Sequence, residues 1–223
     1  MKLLAIETST EYCSVALWQD GVVSERCERV GQKHSEVLMG MVDAVLKQAG
    51  SSIRQVAGIA FGKGPGSFTG VRIACGVTQG LALGLEVPVV GICTLQALAE
   101  AAGRDKVIAA LDARMGELYL AAYERSGDDW REVIAPCLCT AESAPPLPGM
   151  DWFGVGSGFA VAAAGLQARY GLSGSEASAV PQAAAVVRLA APVFAAGGGE
   201  DAAQALPLYL RDKVALTTAE RQA

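Results

Sequence analysis

Histidine is nearly absent from this chain: His34 is the single one among 223 residues. A two-histidine metal centre cannot be built within it, and no cysteine cluster supplies the missing ligands. Charge is scarce as well. Asp, Glu, Lys and Arg make up 18% of residues, with 18 basic against 23 acidic side chains, a formal charge of −5 and a pI near 5.0. A protein that grips nucleic acid unaided needs a basic surface to neutralise phosphates, which this balance does not provide. Long hydrophobic runs are missing too, although 52% of residues are hydrophobic and mean hydropathy is +0.32. The stretch 80–92 is broken by Glu86 and Pro88, and 183–196 by Arg188 and Pro192. Neither reaches the roughly 20 apolar residues of a membrane span. Glu7 stands where the apolar core of a signal peptide would continue, so the expectation is a cytoplasmic protein with no membrane partner. The six cysteines include no CxxC pair. Cys137 and Cys139 are the one close pair; on a strand they would share a face, and two sulfurs make no metal site.

What is present is an apolar, weakly charged chain, which excludes intrinsic disorder and leaves apolar surface to spare for a partner. The pattern predicts strands at 3–8, 13–18 and 22–30, with Asp20-Gly21 as a hairpin turn. A helix over 34–49 follows, stopped by Gly50. A strand at 56–61 runs into a glycine-rich loop, Gly62–Gly70, and a second helix ending near 85. A short strand at 88–92 and a helix at 94–102 close the first half. After Gly103 the pattern starts again. An apolar run ends in Asp112 as the first run ends in Glu7, and the two acids lie 105 positions apart, close to half the chain. Further strands are expected at 117–123, 132–139 and 152–155, a proline-rich linker at 144–149, an alanine-rich helix up to 170 and a last helix from Pro181. The apolar tail 206–211 should dock, and residues after 215 should fray. The expectation is an α/β chain of two related lobes, 1–102 and a smaller 103–223, with mixed sheets.

An acid-tipped hairpin in each half, with a glycine-rich strand-to-helix loop, is the outline of a nucleotide cleft. The candidates are Glu7, Thr8, Ser9, Thr10, Gly64, Gly66, Ser67, Asp112 and Arg114. Against that reading, the turn 7–10 holds no glycine, the loop 62–70 lacks P-loop spacing, and an arginine sits in the second turn. The alternative is that these are tight turns of an α/β fold. His34, at the start of the first helix, reads as structural rather than catalytic.

The helices carry more. The first holds two apolar stripes, Leu38, Met41, Val45, Ala49 and Met39, Val42, Leu46, wider than a helix on a sheet requires. The second holds Gly76, Gly80 and Gly84 at a spacing of four, a smooth ridge that invites close backbone approach although each glycine costs about 1 kcal/mol. The ridge could meet the chain's own sheet or another subunit. Together the two helices favour an intersubunit bundle, with His34, Val37, Leu38, Met41, Val42, Val45, Thr69, Arg72, Ile73, Gly76, Gly80, Leu83 and Gly84 as its candidate face.

Four segments in order, 6–10, His34-Ser35-Glu36, 64–73 (GPGSFTGVRI) and 112–119 (DARMGELY), resemble the TsaB (YeaZ) family of bacterial tRNA threonylcarbamoyladenosine biosynthesis proteins, in the glycoprotease-like group. The resemblance is strong up to about residue 123 and looser beyond. It implies an actin-like (ASKHA, RNase H-like) fold with a truncated second lobe. It implies a non-catalytic, dimerising subunit that partners a catalytic TsaD-like paralogue and a TsaE-like ATPase. That complex moves threonylcarbamoyl from threonylcarbamoyl-AMP to N6 of adenosine 37 in tRNAs reading codons that begin with A. The family places its bundle on the two helices that begin at His34 and near Thr69. It implies no metal and no catalytic residue in this chain, tRNA contact only through the complex, and ATP or ADP, if bound at all, at a subunit junction. A homodimer is the alternative use of the same helices. The competing readings are an ASKHA ATPase or kinase holding Mg²⁺ on Glu7 and Asp112, and a nucleotide-sensing module.

Overall fold

The computed structural model describes residues 1–211. Apolar alternation decides its layering. In β1 (Lys2–Glu7), β2 (Tyr12–Gln19) and β4 (Gly58–Gly62), successive side chains point to opposite faces of one sheet. One face gathers Leu4, Ile6, Val15, Leu17, Ile59 and Phe61 and receives α1 (His34–Gln48) and α2 (Phe68–Leu85). The other face gathers Leu3 with Ala5, Ala16 and Ala60, and these small residues let α6 (Ala183–Ala195) lie close. Covering both faces is what makes these strands apolar throughout.

With β3 (Val22–Arg29) and β5 (Val89–Ile92) the first sheet runs β3-β2-β1-β4-β5. The second sheet comprises β6 (Lys106–Asp112), β7 (Leu118–Ser126), β8 (Asp129–Cys139), β9 (Phe153–Val155) and β10 (Gly174–Glu176), in the order β10-β9-β6-β7-β8. Outward from β1 and from β6 the pairing is the same: two antiparallel neighbours on one side, two parallel ones on the other. The repeat suggested by the two acids is therefore a repeat of whole sheets, with Glu7 and Asp112 at equivalent strand ends. The truncation lies in length, since β9 and β10 have three residues each. No strand is predicted at β10, because Gly174-Ser175-Glu176 has no apolar pattern.

α3 (Thr94–Ala101) sets Leu95, Leu98 and Ala99 on one face of the second sheet, against Val107, Ala109 and Val155. α4 (Gly158–Val161) and α5 (Ala163–Tyr170) cover the other face through Phe159 and Leu166, beside Trp152. The single helix expected there breaks at Ala162, which leaves helical geometry. α3 and α6 touch, so the two sheets share a middle layer of helices. Every strand of the first sheet precedes residue 102, whereas α6 returns to that sheet from the second half. Its N-terminus is anchored by side chains of β2 and β3: the Ala183 amide donates to Ser14 Oγ (2.9 Å) and the Ala184 amide to Glu25 Oε1 (2.8 Å). α2 is the one described helix long and apolar enough to cross a membrane by length and composition. Here Val71, Ala74, Cys75 and Ala82 bury one side of it against the first sheet. The tail 205–211 is docked, as expected; the expectation for residues after 215 lies outside the described residues.

Phe194 locks α6 onto the first sheet, and Gly58 makes the room for it: a Cβ on Gly58 would stand 2.6 Å from the Phe194 ring. Phe194→Ala is expected to cost about 3–5 kcal/mol in urea unfolding, and Val193→Ala, on the outer side of the same helix, within about 0.5 kcal/mol of nothing.

Candidate functional site

The first acid-tipped hairpin closes on itself. Glu7 is 1% exposed, with Thr8 and Ser9 equally buried. Glu7 Oε1 accepts from the Ser9 amide (2.6 Å), and a side chain on Gly62 would collide with its carboxylate. Thr8 Oγ1 donates to the Gly70 carbonyl (2.7 Å), and the Ser67 amide donates to the Ser9 carbonyl (2.7 Å). A Cβ on Gly66 would stand 2.5 Å from the Ser9 carbonyl oxygen, and one on Gly70 would strike that of Thr8. The glycines of the loop thus serve backbone-to-backbone packing within the chain. Ser67 caps α2 by accepting from the Gly70 amide (3.4 Å). Thr10 Oγ1 accepts from the Tyr12 amide (3.2 Å). Gly64, at φ +99°, faces the Leu208 carbonyl.

Among the described residues no cation faces Glu7. Burial pushes its carboxyl above the ordinary carboxylate range, and hydrogen bonds from Ser9 and Thr94 pull it part of the way back. The nucleotide-cleft expectation is corrected at Glu7, Thr8 and Ser9, which present no surface to a ligand. The second hairpin is more open. Asp112 Oδ1 accepts from the Arg114 amide (2.8 Å) and its Oδ2 pairs with the Arg114 guanidinium (3.0 Å). Its own amide donates to Ser157 Oγ (3.0 Å). The acid is engaged by its own turn. Among the described residues no three His, Cys, Asp or Glu side chains gather as a metal set. Burial lifts the Cys13 thiol to about 12 and the Cys75 thiol to about 11, as fits small core hydrophobes.

The helices divide sharply. On α1 the candidate interface residues Leu38, Met41, Val42 and Val45 are buried in the chain's own core, and so is His34, whose Nε2 donates to the Tyr12 carbonyl (3.1 Å). These five are corrected from partner face to core. The wide stripe arises because α1 lies on β2 and β3 and also borders α2, so it must be apolar on two sides. Val37 and Ile73 sit half-buried at the edge of that core. Met39, at 50% exposure, is the large hydrophobic residue that α1 leaves outside, beside Gly40 and the polar Ser35, Glu36, Asp43, Lys47 and Gln48.

On α2 the ridge faces out. Thr69, Arg72, Gly76, Gly80, Leu83 and Gly84 are exposed, Leu83 by 75%. A Cβ on Gly76, Gly80 or Gly84 would meet nothing within 4 Å. The chain's own sheet makes no use of these glycines. Phe68 and Tyr209 belong to the same exposed region and were not foreseen. The Arg72 guanidinium lies 3.6 Å from the Phe68 ring centroid and its Nε donates to Tyr209 Oη (2.6 Å). The only sequence sign of this was the apolar tail at 206–211.

Two equivalent mixed sheets around shared helices, an acid ending each central strand, define an actin-like α/β protein whose acids are spent on internal contacts. The family model described as TsaD, tRNA N6-adenosine threonylcarbamoyltransferase, matches residues 7–220. The Escherichia coli tRNA threonylcarbamoyladenosine biosynthesis protein TsaB is 40% identical over 96% of each chain. Its Haemophilus influenzae namesake is 37% identical over 96% of this chain and 95% of its own. The structure of YeaZ from Pseudomonas aeruginosa matches with a TM-score of 0.86 at 41% identity, covering 94% of this chain and 99% of that one. The chain belongs to this family, on its TsaB (YeaZ) side.

The buried carboxyl makes a pH prediction. A raised folded value means the folded state holds the Glu7 proton more tightly than the unfolded chain does. Glu7 therefore removes stability as pH rises from the unfolded value through the folded one. Glu7→Gln should abolish that loss, giving a flatter unfolding free energy across the interval and a protein at least as stable at pH 7. Urea melts from pH 4 to 8 check this; parallel pH profiles for the two proteins would refute it.

Proposed function

We propose that this chain works in tRNA threonylcarbamoyladenosine biosynthesis as a non-catalytic subunit that docks a catalytic partner on the outer face of α2. The observation that carries the reading is the open ridge of Gly76, Gly80 and Gly84. A glycine row with nothing against it admits a second helix at short distance, with van der Waals contact between backbones. Thr69, Arg72 and Leu83 flank it with a hydroxyl, a cation and an apolar anchor. In this reading the partner is a TsaD-like paralogue that owns the reactive centre, and a TsaE-like ATPase joins the assembly. The transferred group is threonylcarbamoyl, from threonylcarbamoyl-AMP to N6 of adenosine 37. The net charge of −5 leaves most phosphate contact to other subunits. The protein works in the cytoplasm, and without its paralogue the same ridge joins two copies of the chain.

An ATPase or kinase reading needs both acids free to hold Mg²⁺. Glu7 is sealed under Gly62 and Asp112 is held by Arg114, which weighs against it. A nucleotide bound at the subunit junction without turnover stays compatible with the docking role.

Gly80→Leu tests the face. The site is open and leucine is the better helix former by about 1 kcal/mol, so the variant monomer should melt no lower than wild type. Size-exclusion chromatography with the purified paralogue should show the complex lost; a complex of unchanged affinity would defeat the assignment. A second test concerns chemistry. Asp112→Asn should leave the transfer rate of the assembled complex within about threefold, far from the orders of magnitude lost with a catalytic group. A loss of that larger size would place chemistry in this chain.

A further inference from the structure

The last described segment crosses from one sheet's loops to the other's. Ala205 accepts through its carbonyl from Gln79 Nε2 of α2 (3.2 Å), and the Leu208 amide donates to the Lys63 carbonyl (2.6 Å). Tyr209 then stacks beside Phe68, ring centroids 5.6 Å apart, and accepts from Arg72. Two residues further on, Arg211 Nη2 donates to Glu117 (2.6 Å) and to the Ala113 carbonyl (3.0 Å), and Nη1 lies 3.3 Å from the Met115 sulfur. Leu208 and Arg211 are three steps apart, a span of about 10 Å at most. The loop after β4 and the β6–β7 turn are therefore tied through a short, nearly inextensible piece of chain.

The far anchor is a strained element. Arg114 and Met115 have φ of +65° and +58°, followed by Gly116 at +75°. Two consecutive non-glycine residues in the left-handed region cost about 1–2 kcal/mol each and persist only where their surroundings hold them. Arg211 grips that turn at its first and last residues, Ala113 and Glu117. At the near end a hollow of about 310 Å³, bounded by Phe61, Lys63, Gly91, Leu206 and Leu208, lies against the segment. Among the described residues, Arg211 Nε is buried without a hydrogen-bond partner.

We infer that residues 205–211 form a latch that couples the exposed first turns of α2 to the strained β6–β7 turn carrying Asp112 and Arg114. When Tyr209 is drawn off Phe68 and Arg72, Arg211 is drawn off the turn, and the turn relaxes. A molecule that contacts Phe68, Arg72 and Tyr209 is then felt at the second sheet without touching it. The inference concerns the chain alone and does not depend on which partner uses α2.

Hydrogen exchange on the full chain tests it, comparing wild type with Tyr209→Ala and Arg211→Ala. Among the described residues the hydrogen bonds of the Tyr209 side chain go to α2 and those of Arg211 to the turn. Each variant should nevertheless speed exchange at both ends, in amides 114–118 and in 64–72, by about tenfold, the net worth of roughly one hydrogen bond. Tyr209→Phe keeps the ring and loses only the hydroxyl, so it guards against gross misfolding; it should speed both ends by a smaller factor. Faster exchange confined to the mutated end, or unchanged exchange at either end, would overturn the latch.

Discussion

The seam between the turn 7–9 and the loop 62–70 is the contact on which the rest of this structure depends. Two backbones run together there because Gly66 and Gly70 have no side chain to insert, and the bare Cα of Gly62 leaves room for the Glu7 carboxylate. The Thr8 hydroxyl and the Ser67 amide stitch the seam from both sides. Its closure has two consequences at once. It shuts water away from Glu7, which raises the carboxyl's proton affinity. It also fixes where α2 begins and how the helix is rotated. With Val71, Ala74, Thr78 and Ala82 turned inward, Gly76, Gly80 and Gly84 must face outward. The sealed acid and the open ridge are two products of one packing event.

Much of this was legible in the residues. The acid-tipped hairpins, their spacing and the apolar strands predicted two related sheets, and both are there with matching pairing. The first helix was misread for a physical reason. A wide apolar stripe says that a helix is covered on more than one side, and says nothing about whose atoms cover it. On α1 the cover is β2, β3 and the edge of α2. The glycine loop carried a similar ambiguity. Lack of a Cβ permits close approach by a phosphate or by another strand of backbone, and spacing alone could not separate the two. β10 and the Arg72–Tyr209 contact were out of reach. The first has no periodic pattern, and the second joins residues 137 positions apart.

The two halves share a topology and treat their acids differently. Glu7 is desolvated with no counter-charge among the described residues, whereas Asp112 stays near the surface and is paired by the next residue but one. Neither arrangement leaves a carboxylate poised to hold a metal and a phosphate together, which would require two accessible acids facing one space. The strained turn around Arg114 and Met115 is bound up instead with Arg211, a residue 94 positions beyond Glu117.

Among the described residues, the ridge on α2 carries a cost that the chain's own packing does not recover. Gly76 and Gly80, inside the helix, weaken it by about 2 kcal/mol together, a sizeable part of a stability that runs to about 5–15 kcal/mol. At Gly58, Gly154 and Gly158 the missing Cβ leaves room for a neighbour that would otherwise clash, so the local loss is offset by packing. At Gly76, Gly80 and Gly84 no described atom is a neighbour. Alanine at those three positions would fit the monomer and stabilise it. A helix smoothed on its outer face, in a chain whose acids are both occupied, gains from that smoothness only when another backbone is laid along it.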